Sequence, residues 1–282
     1  MSAYESKDII LQVENLSVVY DEKTIIKDIN LVEKDTQREG KVQGQTIAFV
    51  GRSGRGKSTL FRILTGLAVP TTGKVLIPDM IKVNGNPPSI VLKEVREGDV
   101  GFVDQKYTLF RHKTVYQALH YAMRNTKGTE KEKREQIDHY LADWGLSNVK
   151  NQFPNELSGG QRQRTAILEQ LLSAGIFIVL DEPFSGLDVG NIQNVKRAFD
   201  LVNGSNELNT LIFSTHDIDL AVELADSIYV MGYPTLSKGT LATYGTLLKH
   251  YNLKDMNLAW KGDLTKEHLE LIQEIKQTML TS

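Results

Sequence analysis

Cysteine does not occur anywhere in the 282 residues. That absence removes a disulfide framework, a thiolate metal site and a cysteine nucleophile. Proline is scarce, at seven residues, and long apolar runs are missing: the most apolar stretches, Ile47 to Val50 and Ile176 to Leu180, fall far short of the ~18 to 20 residues that span a bilayer. The segment Met1 to Lys7 is polar and of mixed charge, so no secretory signal is expected and the chain should stay where it is made. There is no excess of either charge, since 33 Lys and Arg face 35 Asp and Glu for a net charge of -2, and a bulk positive field for nucleic acid is lacking. What remains, 40% hydrophobic and 24% charged residues, is the make-up of an ordinary folded domain long enough to bury a substantial core.

Periodicity organises the chain. Ile9, Leu11 and Val13, then Leu16, Val18 and Tyr20, predict two short strands followed by a turn at Asp21-Glu22-Lys23, within an antiparallel hairpin region. Charge, two glycines and few apolar residues make 33–45 an exposed loop or hairpin tip. A buried strand at Ile47 to Val50 leads through a glycine-rich turn into a helix at Thr59 to Leu67. Between Pro70 and Gly101 only short strands and turns fit. Thr114 to Trp144 reads as helical, with the charged run Lys127 to Gln136 on a solvated face. Further strand-to-helix units start at Ile176 to Leu180 and Leu211 to Ser214, so the fold class is α/β, a mostly parallel sheet with helices on its faces. The tail from Thr240 should be mostly helical, with Leu264, Leu269, Ile272, Ile275 and Met279 as its apolar stripe.

Three features carry chemistry. Gly51-Arg52-Ser53-Gly54-Arg55-Gly56-Lys57-Ser58 fits G-x-x-x-x-G-K-[ST], in which glycines let successive N–H groups face phosphate oxygens, the lysine reaches the outer phosphates and the serine can ligate Mg²⁺. Asp181-Glu182 closes the strand Ile176 to Leu180: Asp181 can orient a hydrated Mg²⁺ and Glu182 can polarise a water, although adjacent acids at a strand end also serve as plain surface or cap residues. In Leu157-Ser158-Gly159-Gly160-Gln161 a helix starts behind a serine, which makes either a simple N-cap or a second anion site of hydroxyl, bare amides and helix dipole.

Taken in order, these motifs resemble the ATPase subunit of the ATP-binding cassette family: Gly51 to Thr59 (Walker A), Gln105 (Q-loop), Leu157 to Gln161 (signature), Leu180-Asp181-Glu182-Pro183 (Walker B), Ser185-Gly186-Leu187-Asp188 (D-loop) and His216 (switch). The resemblance covers roughly Ile9 to Met231 and implies a P-loop NTPase core with an antiparallel β subdomain and an α-helical signature subdomain at about 106–172, within a domain 1–240 that a C-terminal extension 241–282 follows. It implies ATP and Mg²⁺ as ligands, with Glu182, His216, Gln105 and Lys57 catalytic and Ser58, Gln105 and Asp181 on the metal. Nucleotide contacts are implied for Tyr20, stacked on adenine, for Gly51 through Thr59, and for Ser158, Gly159, Gly160, Gln161 and Asp188. It implies a head-to-tail homodimer, or a pair with a closely related cassette, in which the loop of one subunit and the signature of the other hold one ATP. Asp217 reads instead as a helix cap. Two departures stand out, Ile167-Leu168-Glu169-Gln170 after the signature and Asp104 before Gln105, and the regions 33–45 and 77–98 are longer than is typical.

The expected function is an ATP hydrolase at the inner face of the cell membrane, cytoplasmic and peripheral. It would drive integral-membrane transporter subunits, with a solute-binding protein joined through the complex. Tyr107 to Val115 and His216 to Ala221 resemble importers of nitrate, sulfonates and taurine. The competing readings are an exporter subunit, a soluble cassette ATPase of repair, translation or iron–sulfur assembly, and a nucleotide-binding scaffold without turnover.

Overall fold

The alternation from Ile9 to Tyr20 builds one strand where the sequence suggests two. In a computed structural model, which describes residues 4–38, 40–79, 91–236, 239–261 and 263–282, β1 runs Glu5–Tyr20. Its register shifts between Val13 and Leu16, where Asn15 takes a φ of 46° and its N–H donates to Asn30 Oδ1. Asparagine tolerates this left-handed conformation, so the strand bends rather than ends. A turn at Asp21 and Glu22, both at positive φ, leads to β2, Lys23–Gln37.

β2 thus occupies the first part of the region expected to be an exposed loop. Glu33 and Thr36 are buried with their polar groups partnered: Ser227 Oγ and Tyr229 OH donate to Glu33 Oε1 at 2.5 and 2.8 Å, and Lys254 Nζ donates to Thr36 Oγ1 at 3.1 Å. Burial pushes the Glu33 carboxyl upward, but hydrogen bonding with His250, the charge of Lys254 and the two hydroxyl donors together hold it below the usual glutamate range. The charges of this segment mark a polar seam inside the molecule.

In chain order β3 (Gln45–Val50), α1 (Lys57–Leu64), β4 (Thr72–Pro78), β5 (Leu92–Glu94), β6 (Gly101–Val103), α2 (Val115–Ala122), α3 (Glu130–Asp143), α4 (Gly159–Ala174), β7 (Phe177–Leu180), α5 (Val189–Ser205), β8 (Thr210–Thr215), α6 (Ile218–Leu224), β9 (Ser227–Gly232), β10 (Thr246–Asn252) and α7 (Lys266–Leu280) follow. An antiparallel sheet has the order β2-β1-β4-β5, and a second sheet β10-β9-β3-β8-β7-β6 is parallel except for β10. Every residue of β3 is buried, Ala48 and Val50 facing one apolar cluster while Ile47 and Phe49 face the other, as a strand covered on both sides requires. Half of the long region 77–98, residues 80–90, lies outside the described residues.

The tail differs from its mostly helical expectation. It contributes β10, paired with β9 in the main sheet, and only then α7. Leu264 and Leu269 of the expected stripe are exposed, and the buried face is His268, Leu271, Ile272, Ile275 and Met279, a spacing of three and four residues shifted by two positions from Leu269 to Leu271. Strand pairing to β9 decides the first half of the tail, and no helical period in 246–252 opposes it.

The departure after the signature has an energetic signature of its own. Glu169 sits on the buried face of α4, and burial, opposed by the charge of Arg124, pushes its carboxyl from 4.5 up to about 7. A carboxyl raised on folding favours the native state below its unfolded value and loses that contribution as pH rises toward the folded one. Between pH 5 and pH 8 the wild type should therefore lose about 2.5 kcal/mol on this account, and Glu169→Gln should flatten that slope. Urea unfolding at the two pH values checks it, and equal slopes for the two proteins would refute it.

Candidate active site

Four parallel strands, β3, β8, β7 and β6, lie side by side, and the residues that follow them meet at one edge: the glycine loop after β3, His216 after β8, Asp181 and Glu182 after β7, and Gln105 after β6. The carboxyl ends of parallel strands are where α/β sheets bind ligands. A cleft of about 530 Å³ lies there, and Ser53, Gly54, Gly56, Lys57, Ser58, Thr59, Gln105, Asp181, Glu182 and His216 line it together with Ile25 and Ser185.

Backbone geometry shapes the loop. Gly54 and Gly56 have φ of 78° and 89°, and a Cβ on Gly56 would come within 2.2 Å of Ile26 Cγ2, so only glycine fits. Gly56 caps α1 without a side-chain hydrogen bond, which leaves the first amides of that helix for an anion. Lys57 is almost wholly buried, its Nζ donating to the carbonyl oxygens of Gly51 at 2.6 Å and Arg52 at 3.3 Å.

Glu182 joins the two sides of the cleft. Its Oε1 lies 3.5 Å from Lys57 Nζ and its Oε2 2.9 Å from His216 Nδ1. The backbone there has φ of 49°, a conformation costly for glutamate, and Ser214 holds it: Ser214 Oγ accepts from Glu182 N at 2.9 Å and donates to Asp181 Oδ1 at 2.6 Å. Gln105 Nε2 donates to Ser185 Oγ at 3.1 Å. Among the described residues no three His, Cys, Asp or Glu side chains form a group able to hold a metal. The hard oxygen donors of Ser58, Gln105 and Asp181 along one cleft fit a Mg²⁺ that completes its shell with phosphate oxygens and water.

Ser158, Gly159, Gly160, Gln161 and Asp188 do not line this cleft. Ser158 caps α4 through a capping box with Gln161, and Asp188 caps α5 by accepting from Asn191 N at 2.8 Å. The two helix starts are neighbours, for a Cβ on Gly160 would lie 2.8 Å from Asn191 Oδ1 and Arg164 Nη1 donates to Asn194 Oδ1 at 3.0 Å. Ser158 and Gly159 are exposed, so one protomer carries a lined cleft and, apart from it, an open pair of helix N-termini. Tyr20 is 48% exposed at the hairpin and does not line the cleft either, where Ile25 of β2 stands instead. Asp217 caps α6, as its position before Ile218 suggests.

Several residues escaped the sequence reading. Gln163 Nε2 donates both to Tyr107 OH and to the carbonyl oxygen of Pro183, each at 2.7 Å, while Tyr107 OH donates to that same carbonyl. The segment after Gln105, helix α4 and the end of β7 are thereby tied at one oxygen. Burial pushes the Tyr107 hydroxyl up to about 12, so it remains a donor at neutral pH. Asp104, which replaces an aromatic residue of the resembled pattern, accepts from the N–H groups of Lys106 and Thr108 and from Thr108 Oγ1, and so shapes the loop locally. Ser214 and Gln163 carry no motif signal; only the pairing of β7 with β8 brings Ser214 to the carboxylates.

A family model described as ABC transporter matches residues 41–185. The sulfate/thiosulfate import ATP-binding protein of Synechocystis sp. is 35% identical over 240 residues, covering 85% of this chain and 61% of its own length. The spermidine/putrescine import ATP-binding protein of Clostridium acetobutylicum is 32% identical over 247 residues, covering 87% of this chain and 64% of its own. The chain thus spans under two thirds of the length of these relatives. The structure of cbiO1 from Clostridium perfringens superposes with a TM-score of 0.70 at 24% identity over 98% of both chains, a likeness of fold.

Proposed function

The chain belongs to the ABC transporter family, and on that premise we propose that it is an ATP-binding subunit that pairs on ATP, hydrolyses it and so drives import of a small solute through separate integral-membrane subunits. The observation that carries the reading is Glu182, suspended between Lys57 and His216 at the ends of neighbouring strands. An entering triphosphate offers Lys57 new anionic partners, which releases Glu182 Oε1 to accept a proton from the attacking water. His216 is then free to donate to the terminal phosphate. Ser58, Gln105 and Asp181 are the residues that would hold a Mg²⁺, which when bound would supply neutralisation of charge on the phosphate oxygens. Because the terminal-phosphate contacts exist only before cleavage, closure and reopening of the pair become the mechanical step.

The membrane subunits, a solute-binding protein and a location at the inner face of the membrane belong to the same proposal. Among the described residues no helix is long and apolar enough to cross a membrane. The two relatives are named for an anion and for polyamines, and neither for nitrate, sulfonates or taurine, so the solute class proposed is no narrower than a small solute. Saturable phosphate release from Mg²⁺-ATP and retention of an integral-membrane protein through purification from detergent-solubilised membranes are expected. A protein that turns over ATP yet brings down no membrane partner would sink the transport half and favour a soluble cassette ATPase.

A further inference from the structure

The phosphate-loop motif asks nothing of the side chain at position 55, yet an arginine stands there. It does not line the cleft. Its guanidinium lies over the ring of Tyr233, 3.8 Å from the centroid, and Nη2 donates to the backbone carbonyl oxygen of Ser282 at 3.1 Å, two residues beyond α7. Tyr233 OH in turn donates to the carbonyl oxygen of Gly54 at 3.3 Å. Gly245 closes the contact from a third direction: a Cβ there would come 2.1 Å from Arg55 O, and its own backbone is fixed by Ile25 O and Lys27 N. Ser282 is 5% exposed and packs on Gly232, so the anchor is buried. On the cleft side Lys57 Nζ holds only the carbonyls of Gly51 and Arg52, and a Cβ on Gly54 would meet nothing within 4 Å.

We propose that Arg55 is a positioning residue, a clamp through which the docking of α7, Tyr233 and Gly245 sets the nucleotide affinity of the phosphate loop. The inference rests on the nucleotide reading above and extends it to the far end of the chain. The loop's donors are backbone amides, so its affinity depends on how little they must rearrange on binding. Arg55 removes that freedom by fixing Gly54 and Arg55 themselves to β9's exit and to the end of α7. Linkage then requires the converse, that nucleotide tightens the α7 contact.

The test combines steady-state ATP kinetics with hydrogen exchange on the full chain. Arg55→Ala and Tyr233→Leu are each expected to raise KM for Mg²⁺-ATP about tenfold with kcat within about twofold, and the double variant to be no worse than either single one. Arg55→Lys, which keeps the cation over the ring but loses the planar fork, should fall between, at about threefold. In the wild type, saturating nucleotide should slow exchange in the last turn of α7, and in Arg55→Ala it should not. Additive effects in the double variant would mean that Arg55 and Tyr233 act independently and would overturn the clamp, as would an unchanged KM. Should Arg55→Ala fail to fold, Arg55→Lys decides by the same readings. A wild type with no saturable Mg²⁺-ATP binding would remove the nucleotide reading itself, and the clamp with it.

Discussion

Glu182→Gln is expected to cut phosphate release by about 100-fold or more while nucleotide binding persists. The amide is nearly isosteric with the carboxylate and can keep one hydrogen bond to His216, but it cannot take a proton from water. Lys57 and the loop amides, the groups proposed to hold phosphates, are untouched. The backbone should also survive, because the strained φ at Glu182 is maintained by Ser214 Oγ on its N–H and not by the side chain. Stopped turnover with an intact, or tightened, nucleotide complex separates the roles of base and binding group. Equal rates in wild type and variant would remove Glu182 from the chemistry, and with it the reason for its place between Lys57 and His216.

How much of this was legible beforehand follows from the range of the signals. Most of the cleft was readable because the glycine loop, Gln105, Asp181, Glu182 and His216 follow strand ends, where a short apolar run followed by glycines, acids or a histidine is a local pattern, whereas Ile25 of β2 was not. The antiparallel subdomain was readable as a hairpin but not as one strand, since the bend at Asn15 looks like a stop until its side-chain partner across the sheet is known. Glu33 and Thr36 were misread as loop because charge normally marks solvent; their partners Ser227, Tyr229 and Lys254 lie about 200 residues away, beyond any window. β10 failed for the same reason, a strand whose justification is the edge of β9. Ser214, Gln163 and Tyr233 belong to no motif, and each acts by completing a contact between elements distant in sequence.

A second large effect is expected from Gly159→Asp, and it addresses whether one protomer suffices. The start of α4 is exposed, a Cβ on Gly159 meets nothing within 4 Å, and an aspartate in the first turn suits the helix dipole, so the variant should fold and bind nucleotide in its own cleft. If the pair of helix starts at Ser158 and Asp188 completes the partner's site, the added carboxylate repels the phosphate offered across the interface, and turnover should fall about 100-fold. Lys57→Ala should be equally inactive for the opposite reason, a damaged loop beside a sound signature. Mixed in equal amounts, the two inactive proteins should recover activity, since half of the random pairs contain one composite site with both parts intact, or about a quarter of the wild-type sites. Phosphate release measured against mixing ratio reads this directly. Wild-type turnover in Gly159→Asp would mean that the cleft of Lys57, Glu182 and His216 is complete within a single chain, and the second anion site would reduce to an ordinary capped helix.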